Sequence, residues 1–221
     1  TRYQQYFAIK EIIRTIKEKD KVGNRQSGVI WHTQGSGKSL TMVMLARYIL
    51  SELAEIHPQV LVITDRVDLD TQIHNTFNHS RLKAAKASSG KNLVELINDK
   101  SADIITSLVH KFDTAVKHQE PLQSSDIFVL IDESHRTQYG ELHIKMKKVF
   151  PNACYLGFTG TPLMKKDKAT INKFGSRMIH KYTIKDGVED GAIVPLLYEG
   201  RYVEQTVNRT ALDNKLEMII R

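Results

Sequence analysis

"GVIWHTQGSGKSLTM", residues 28–42, runs from apolar residues into Gly and Ser and then resumes with helical spacing. That change of period decides the fold. Residues 28–32 are short and partly β-branched, as in a strand. From Lys38 to Leu53, Leu40, Val43, Met44, Arg47, Tyr48 and Leu50 recur as on a helix with a broad apolar face. A Gly-containing loop between strand and helix aims backbone N–H groups and the positive helix end at one point. Gly35 and Gly37 let the chain curl and approach a phosphate without a Cβ in the way. Lys38 can then set its ammonium between the β- and γ-phosphates of ATP, and Ser39 can offer its hydroxyl to Mg²⁺. The nucleotide-touching run is Gln34, Gly35, Ser36, Gly37, Lys38, Ser39 and Leu40.

The pattern G-x-x-x-x-G-K-[ST] wants glycine where this chain has His32. That position ends the strand and does not wrap the phosphates, so the departure leaves the phosphate-binding part intact. His32 itself fits either strand-end packing or a supporting role behind the site. The plain alternative for the loop is a Gly/Ser turn before a helix with an exposed lysine. A second requirement separates the two, because a nucleotide-bound Mg²⁺ needs a carboxylate at the end of a neighbouring apolar strand. "IFVLIDESH" (127–135) supplies it. Asp132 would hold the metal, and Glu133 would orient and deprotonate the attacking water. His135 and Arg136 follow on the same turn; His135 is a candidate for the γ-phosphate network, and the role of Arg136 stays open.

Around these motifs the chain alternates. "YQQYFAIKEIIRTIKEK" places Tyr6, Ile9, Ile13 and Ile16 on one helical face. "VLVIT", "ADIITSL", "DIFVLIDE" and "ACYLGFT" read as strands, separated by the helical stretches around Leu69–Phe77, "NLVELI", "VHKFDTAVK" and "ELHIKMKKVF". Continuous apolar strands alternating with helices predict an α/β fold, a mostly parallel central sheet covered by helices on both faces. The pattern loosens after residue 165, and "DGVEDGAIVPLLYEGRYVE" reads as short strands and turns. We therefore expect a nucleotide-binding domain over 1–165, with 166–221 holding its end and the start of a linker.

Composition agrees with a globular protein of 221 residues: 41% hydrophobic and 26% charged, with no membrane-length apolar run and no signal-peptide pattern. The single Cys154, inside "ACYLGF", excludes a disulfide framework and reads as a small core residue, so a cytoplasmic location is expected. The net charge of +7 favours polyanionic partners such as nucleic acid. The clusters "KMKK" (145–148) and "KKDK" (165–168) read as solvated faces, and the histidines show no zinc spacing. The chain begins at Thr1 without Met and ends in "KLEMIIR", so a piece of a longer protein is expected.

"WHTQGSGKSLTM", "ITDRVDLDTQ", "DESHRTQYG" and "GFTGTPL", in that order, resemble helicase motifs I, Ia, II and III. With the tail "YTIKDGVEDGAIVPLLYEGR" they are most similar to the motor (R, restriction) subunit of type I restriction-modification enzymes. The resemblance spans nearly the whole chain. It implies the first RecA-like domain of a superfamily-2 translocase, a P-loop NTPase that uses ATP and Mg²⁺ to pull double-stranded DNA without separating its strands. The implied partners are duplex DNA and the modification (methyltransferase) and specificity subunits, with no membrane. "RYQQYFAI" resembles the family's R-x-x-Q-x-x-A-[IV], which points to Gln5, with Arg2 nearby, as the reader of adenine. In "TGT", Thr159, Gly160 and Thr161 would couple the γ-phosphate state to the DNA groove, although turn chemistry alone also explains such a segment. Arg66, Gln72, Thr106, Ser107 and Lys111 would face the DNA backbone, contacts that position a duplex without reading its sequence.

A complete motor needs a second RecA-like domain with an arginine finger, and cleavage needs a D…E-x-K metal site. The sequence contains neither, so DNA cleavage is not assigned to this piece and slow ATP hydrolysis by it alone is expected. Two other readings share the motifs: a helicase-like repair or remodelling ATPase, and a non-motor nucleotide switch that assembles proteins.

Overall fold

The structure, a computed structural model, describes residues 2–64, 67–79, 82, 84–115, 117, 121–132, 144–160, 177–195 and 199, with backbone alone at 69, 72, 78, 79, 112, 113 and 115. Its frame is a parallel sheet. The strands are β1 (Gly28–His32), β2 (Gln59–Thr64), β3 (Ala84–Lys86), β4 (Ile104–Leu108), β5 (Ile127–Ile131), β6 (Cys154–Thr159) and β7 (Met178–Tyr182). They lie in the order β3-β4-β2-β5-β6-β1-β7, and every pair is parallel. The helices are α1 (Tyr3–Lys17), α2 (Lys38–Glu52), α3 (Val67–His79), α4 (Gly90–Asn98), α5 (Val109–Ala115) and α6 (Ile184–Glu189), with a further helical stretch at 144–149.

Strand side chains alternate between two faces, and both faces are buried. Ile30, Val62, Leu130 and Phe158 point to one side, where Ile9, Ile12 and Ile16 of α1 and Met42 and Ile49 of α2 cover them. Val29, Leu61, Ile63, Val129 and Tyr155 point to the other, under Leu93 and Ile97 of α4 and Met146 and Val149. Cys154 belongs to the first core, with its thiol donating to the Gln26 carbonyl at 3.3 Å and burial pushing its pKa up to about 12. In the "KMKK" cluster Met146 is buried while Lys147 and Lys148 are exposed, a solvated helical face. No helix among the described residues is long and apolar enough to cross a membrane.

Three local expectations need correction. Tyr6 does not join the buried stripe of α1; it is 53% exposed and packs edge-on against Phe7, because the buried face runs through Ala8, Ile9, Ile12, Ile13 and Ile16. Leu40 and Tyr48 of α2 are also about half exposed, which narrows the apolar face. In the tail, the segment read as strands and turns is helical at 184–189, started by a Thr183–Asp186 capping box that the sequence reading overlooked. Within the part expected to hold the end of the domain, β7 pairs with β1 along its outer edge.

Candidate functional site

Because all strands run the same way, their carboxyl ends share one edge of the sheet, the usual place for ligands in such folds. The loop after β1 is shaped there by two left-handed glycines, Gly35 at φ +82° and Gly37 at φ +87°. The left-handed backbone calls for glycine at Gly37, and a Cβ there would stand 2.7 Å from the Gln5 side-chain nitrogen and displace it. Ser36 donates both its N–H (3.2 Å) and its hydroxyl (2.6 Å) to the Thr33 carbonyl, tying the loop into its curl. Ser36 is buried; Gln34 and Gly35 are exposed above it. Lys38 and Ser39 open α2 half-buried, followed by Leu40, and the first N–H groups of the helix have no carbonyl behind them.

The Lys38 ammonium reaches across the sheet edge. It lies 2.9 Å from where a Cβ of Gly160 would be, directly after β6. β6 separates β1, which carries the loop, from β5, which carries the acid. Asp132 follows β5, 4% exposed, with its N–H donated to the Ile63 carbonyl at 3.0 Å. Two strand spacings put the bases of loop and acid about 10 Å apart. A lysine from one side therefore hangs over the strand between them, beside the buried Thr159. Such an edge, with left-handed glycines, helix N–H donors, an ammonium, a hydroxyl and a carboxylate, fits a Mg²⁺-bound triphosphate in donor chemistry.

Gln5 sits against this loop. Its Nε2 donates to the Gly37 carbonyl at 3.2 Å and its Oε1 accepts from the Arg2 N–H at 3.0 Å, with the side chain 3% exposed. Each amide atom keeps one further hydrogen-bonding capacity. The Arg2 side chain is exposed.

His32 is fully buried at the end of β1. Its Nε2 lies 2.9 Å from Nδ1 of His180 on β7. Burial first, then the neighbouring His180 and the Lys38 charge, hold its pKa down to about 3, so the ring stays neutral. The tail packs against the loop as well. The Thr33 N–H donates to the Tyr182 carbonyl at 2.9 Å, and Ile193 Cγ2 stands 3.1 Å from a Cβ built on Gly35. Sequence reasoning missed His180, Tyr182 and Ile193 at the site; "RMIHKYTI" offers only a weak period-two signal, interrupted by polar residues.

Two of the expected DNA-facing residues are buried. Thr106 and Ser107 are each 1% exposed within β4, and Ser107 donates to the Leu108 carbonyl at 3.3 Å. As folded, neither side chain reaches a duplex. Lys111 is half-buried and donates to the Ala87 carbonyl at 2.8 Å. The side chain of Gln72 on α3, and Arg66, Glu133, His135, Arg136 and Thr161, lie outside the described residues.

The SWI2/SNF2 ATPase family model matches residues 4–221. The HindI endonuclease subunit of the type I restriction enzyme of Haemophilus influenzae is 35% identical, covering 89% of this chain and 21% of its own length. A type I restriction enzyme endonuclease subunit of Staphylococcus aureus is 36% identical over 86% of this chain and 21% of its own. The chain thus spans about a fifth of the length of these relatives. Among solved structures, a nuclease-deletion mutant of the Type ISP restriction-modification enzyme LlaGI with a DNA substrate mimic aligns with a TM-score of 0.63 at 15% identity, over 87% of this chain and 20% of that one. The Pyrococcus furiosus Hef helicase domain aligns at 0.58 and 19% identity, over 81% of this chain and 37% of that one. At such identities these likenesses speak for the fold, a RecA-like helicase domain. The family match over nearly all of the sequence, together with the restriction-subunit relatives foreseen from the motifs, settles the assignment: the chain belongs to the SWI2/SNF2 ATPase family of superfamily-2 helicase domains.

Proposed function

We propose that this chain is the ATP-binding half of a double-stranded DNA translocase that works in a type I restriction enzyme. The observation that carries the reading is the Lys38 ammonium lying over Gly160, between the loop of β1 and Asp132 at the end of β5. In this account Gly35, Gly37 and the first N–H groups of α2 wrap the phosphates, and Lys38 balances their charge. Ser39 and Asp132 hold Mg²⁺, Glu133 takes the proton of the attacking water, and His135 steadies the outer phosphate. Bound Mg·ATP supplies the phosphoryl transfer whose free energy the motor uses. Gln5 lends its remaining capacity to the base, with Arg2 beside it. Thr159, Gly160 and Thr161 relay the state of the site toward DNA, and Arg66, Gln72 and Lys111 would contact its backbone.

Residues 1–165 form the body of this domain and 166–221 its end and exit toward a second RecA-like domain. The net charge of +7 supports a polyanionic partner. Modification and specificity subunits would supply target choice in the cytoplasm. The test uses the full-length protein in complex with those subunits, measuring ATP turnover against the length of unmethylated duplex. Turnover rising with duplex length, followed by cleavage, and a loss of roughly 100-fold or more in Lys38→Ala, on the scale of removing one charge-stabilising group, are the expected results. Turnover indifferent to DNA, or full activity in Lys38→Ala, would contradict the proposal. DNA-stimulated turnover without cleavage of unmethylated DNA would instead indicate a repair or remodelling ATPase.

A further inference from the structure

The histidine that replaces glycine at the start of the phosphate loop has a partner, and the pair bridges two parts of the chain. His32 pairs with Tyr182 in the β1–β7 register, and His180 lies opposite Ile30, so the rings of 32, 180 and 182 share the face turned to α1. The His32 and His180 rings meet edge-on with centroids 5.1 Å apart, and His32 tilts against Tyr182 at 5.8 Å. The Tyr182 hydroxyl donates to Asp190 Oδ2 at 2.7 Å, and the Tyr3 hydroxyl donates to the same oxygen. The Gly187 carbonyl accepts the N–H groups of Ala192 (2.8 Å) and Ile193 (3.0 Å), which sets Ile193 against Gly35 and Gly187 against Thr33. A glycine at position 32 would delete the first link of this series.

We propose that His32 is a positioning residue for nucleotide: with His180 it forms a neutral hydrogen-bonded strut that fixes β7 and residues 183–193 behind the phosphate loop. The strut rests on the ATP-site reading above and adds to it a reason for the non-glycine residue. Only one tautomer pairing leaves a tolerable orphan. The other ring nitrogen of His32, Nδ1, is buried without a partner. If Nε2–H donates to His180, that orphan is a bare acceptor; the reverse pairing would strand a buried N–H, which native structures rarely allow. The strut is therefore directional, from His32 to His180. Protonating His180 at Nδ1 removes the acceptor and breaks the bond in this direction, and protonating both rings sets two cations against each other at 2.9 Å. The groups facing the pair are Lys38 on the loop side, Glu11 of α1 toward His180, and the Tyr182–Asp190–Tyr3 cluster.

His180 lies on an edge strand and is only partly buried, so its replacement spares the core. In the full-length protein, His180→Ala should raise KM for ATP about fivefold, as expected for one internal hydrogen bond lost, with kcat unchanged. His180→Gln, which keeps an acceptor, should restore most of the affinity. His32→Ala added to His180→Ala should raise KM no further. An imidazole NMR spectrum should show His32 protonated at Nε2 alone, a signal lost in His180→Ala. An unchanged KM in His180→Ala, an additive double variant, or His32 protonated at Nδ1 would each overturn the strut. Lys38→Ala keeps the two readings apart: if it abolishes ATP binding while His180→Ala changes nothing, only the strut fails; if it leaves binding intact, the nucleotide site itself fails.

Discussion

His32 shows what one residue can carry that a motif cannot express. The ring is fully buried and neutral, with its pKa held at about 3 by burial, by His180 and by Lys38. The unfolded chain binds a proton there near pH 6.5, and the folded chain does not. Stability from this group is therefore fully present above pH 6.5 and is lost as pH falls toward 3, at about 1.4 kcal/mol per pH unit while the difference in proton binding lasts. His180, whose pKa is lowered chiefly by burial, acts with the same sign. Between pH 6.5 and 4.5, above the range where Glu18 and Asp186 with their lowered pKa values take up protons, the urea midpoint should fall steadily. His32→Gln should flatten that slope, and an equally steep slope in the variant would contradict this assignment. The neighbouring residues were easier to read. Lys38, Ser39, Gly35 and Gly37 announce themselves because a phosphate loop needs those residue types at that spacing. The hydrogen bond by which Gln5 braces Gly37 was not legible, because a bond to a backbone carbonyl leaves no signature in side-chain identity.

At the scale of elements, β1, β2, β4, β5 and β6 could be read from continuous apolar runs bounded by turns, since a parallel strand covered on both faces has little choice of residue. β3, three residues long at the edge, lacks the length for any period to show. β7 escaped for a related reason: as the other edge it is only partly buried, and His180 and Lys181 break its pattern. Its structural weight is still considerable. The Val29 N–H donates to the Arg177 carbonyl at 2.9 Å and the Thr33 N–H to Tyr182, so β7 seals the flank of the strand that carries the phosphate loop. A chain ending at residue 165 should expose that flank, lower the thermal midpoint and self-associate through the open edge, whereas one ending at 195 keeps β7 and α6. Light scattering and a melting curve on the two chains decide it. A monomeric 1–165 chain with an undiminished midpoint would show that β7 is dispensable and the domain ends earlier.

The whole molecule gathers its chemistry by direction alone. Parallel strands bring the ends of β1, β5 and β6 to one edge, although residues 38, 132 and 160 are far apart in sequence. That convergence could be inferred from strand–helix alternation, whereas the burial of Thr106 and Ser107 could not. Thr106 and Ser107 look polar and available in the sequence, yet their place inside β4 buries them. The central claim is that Ser39 and Asp132 serve one metal ion bound to one triphosphate. Crystals of the protein grown with Mn²⁺ and a non-hydrolysable ATP analogue, measured at the manganese absorption edge, test it most directly. A single anomalous peak about 2 Å from the Ser39 hydroxyl, as direct coordination requires, and one water away from Asp132 is the expected result. A peak elsewhere, or a triphosphate bound away from the Gly35–Ser39 loop, would contradict the account.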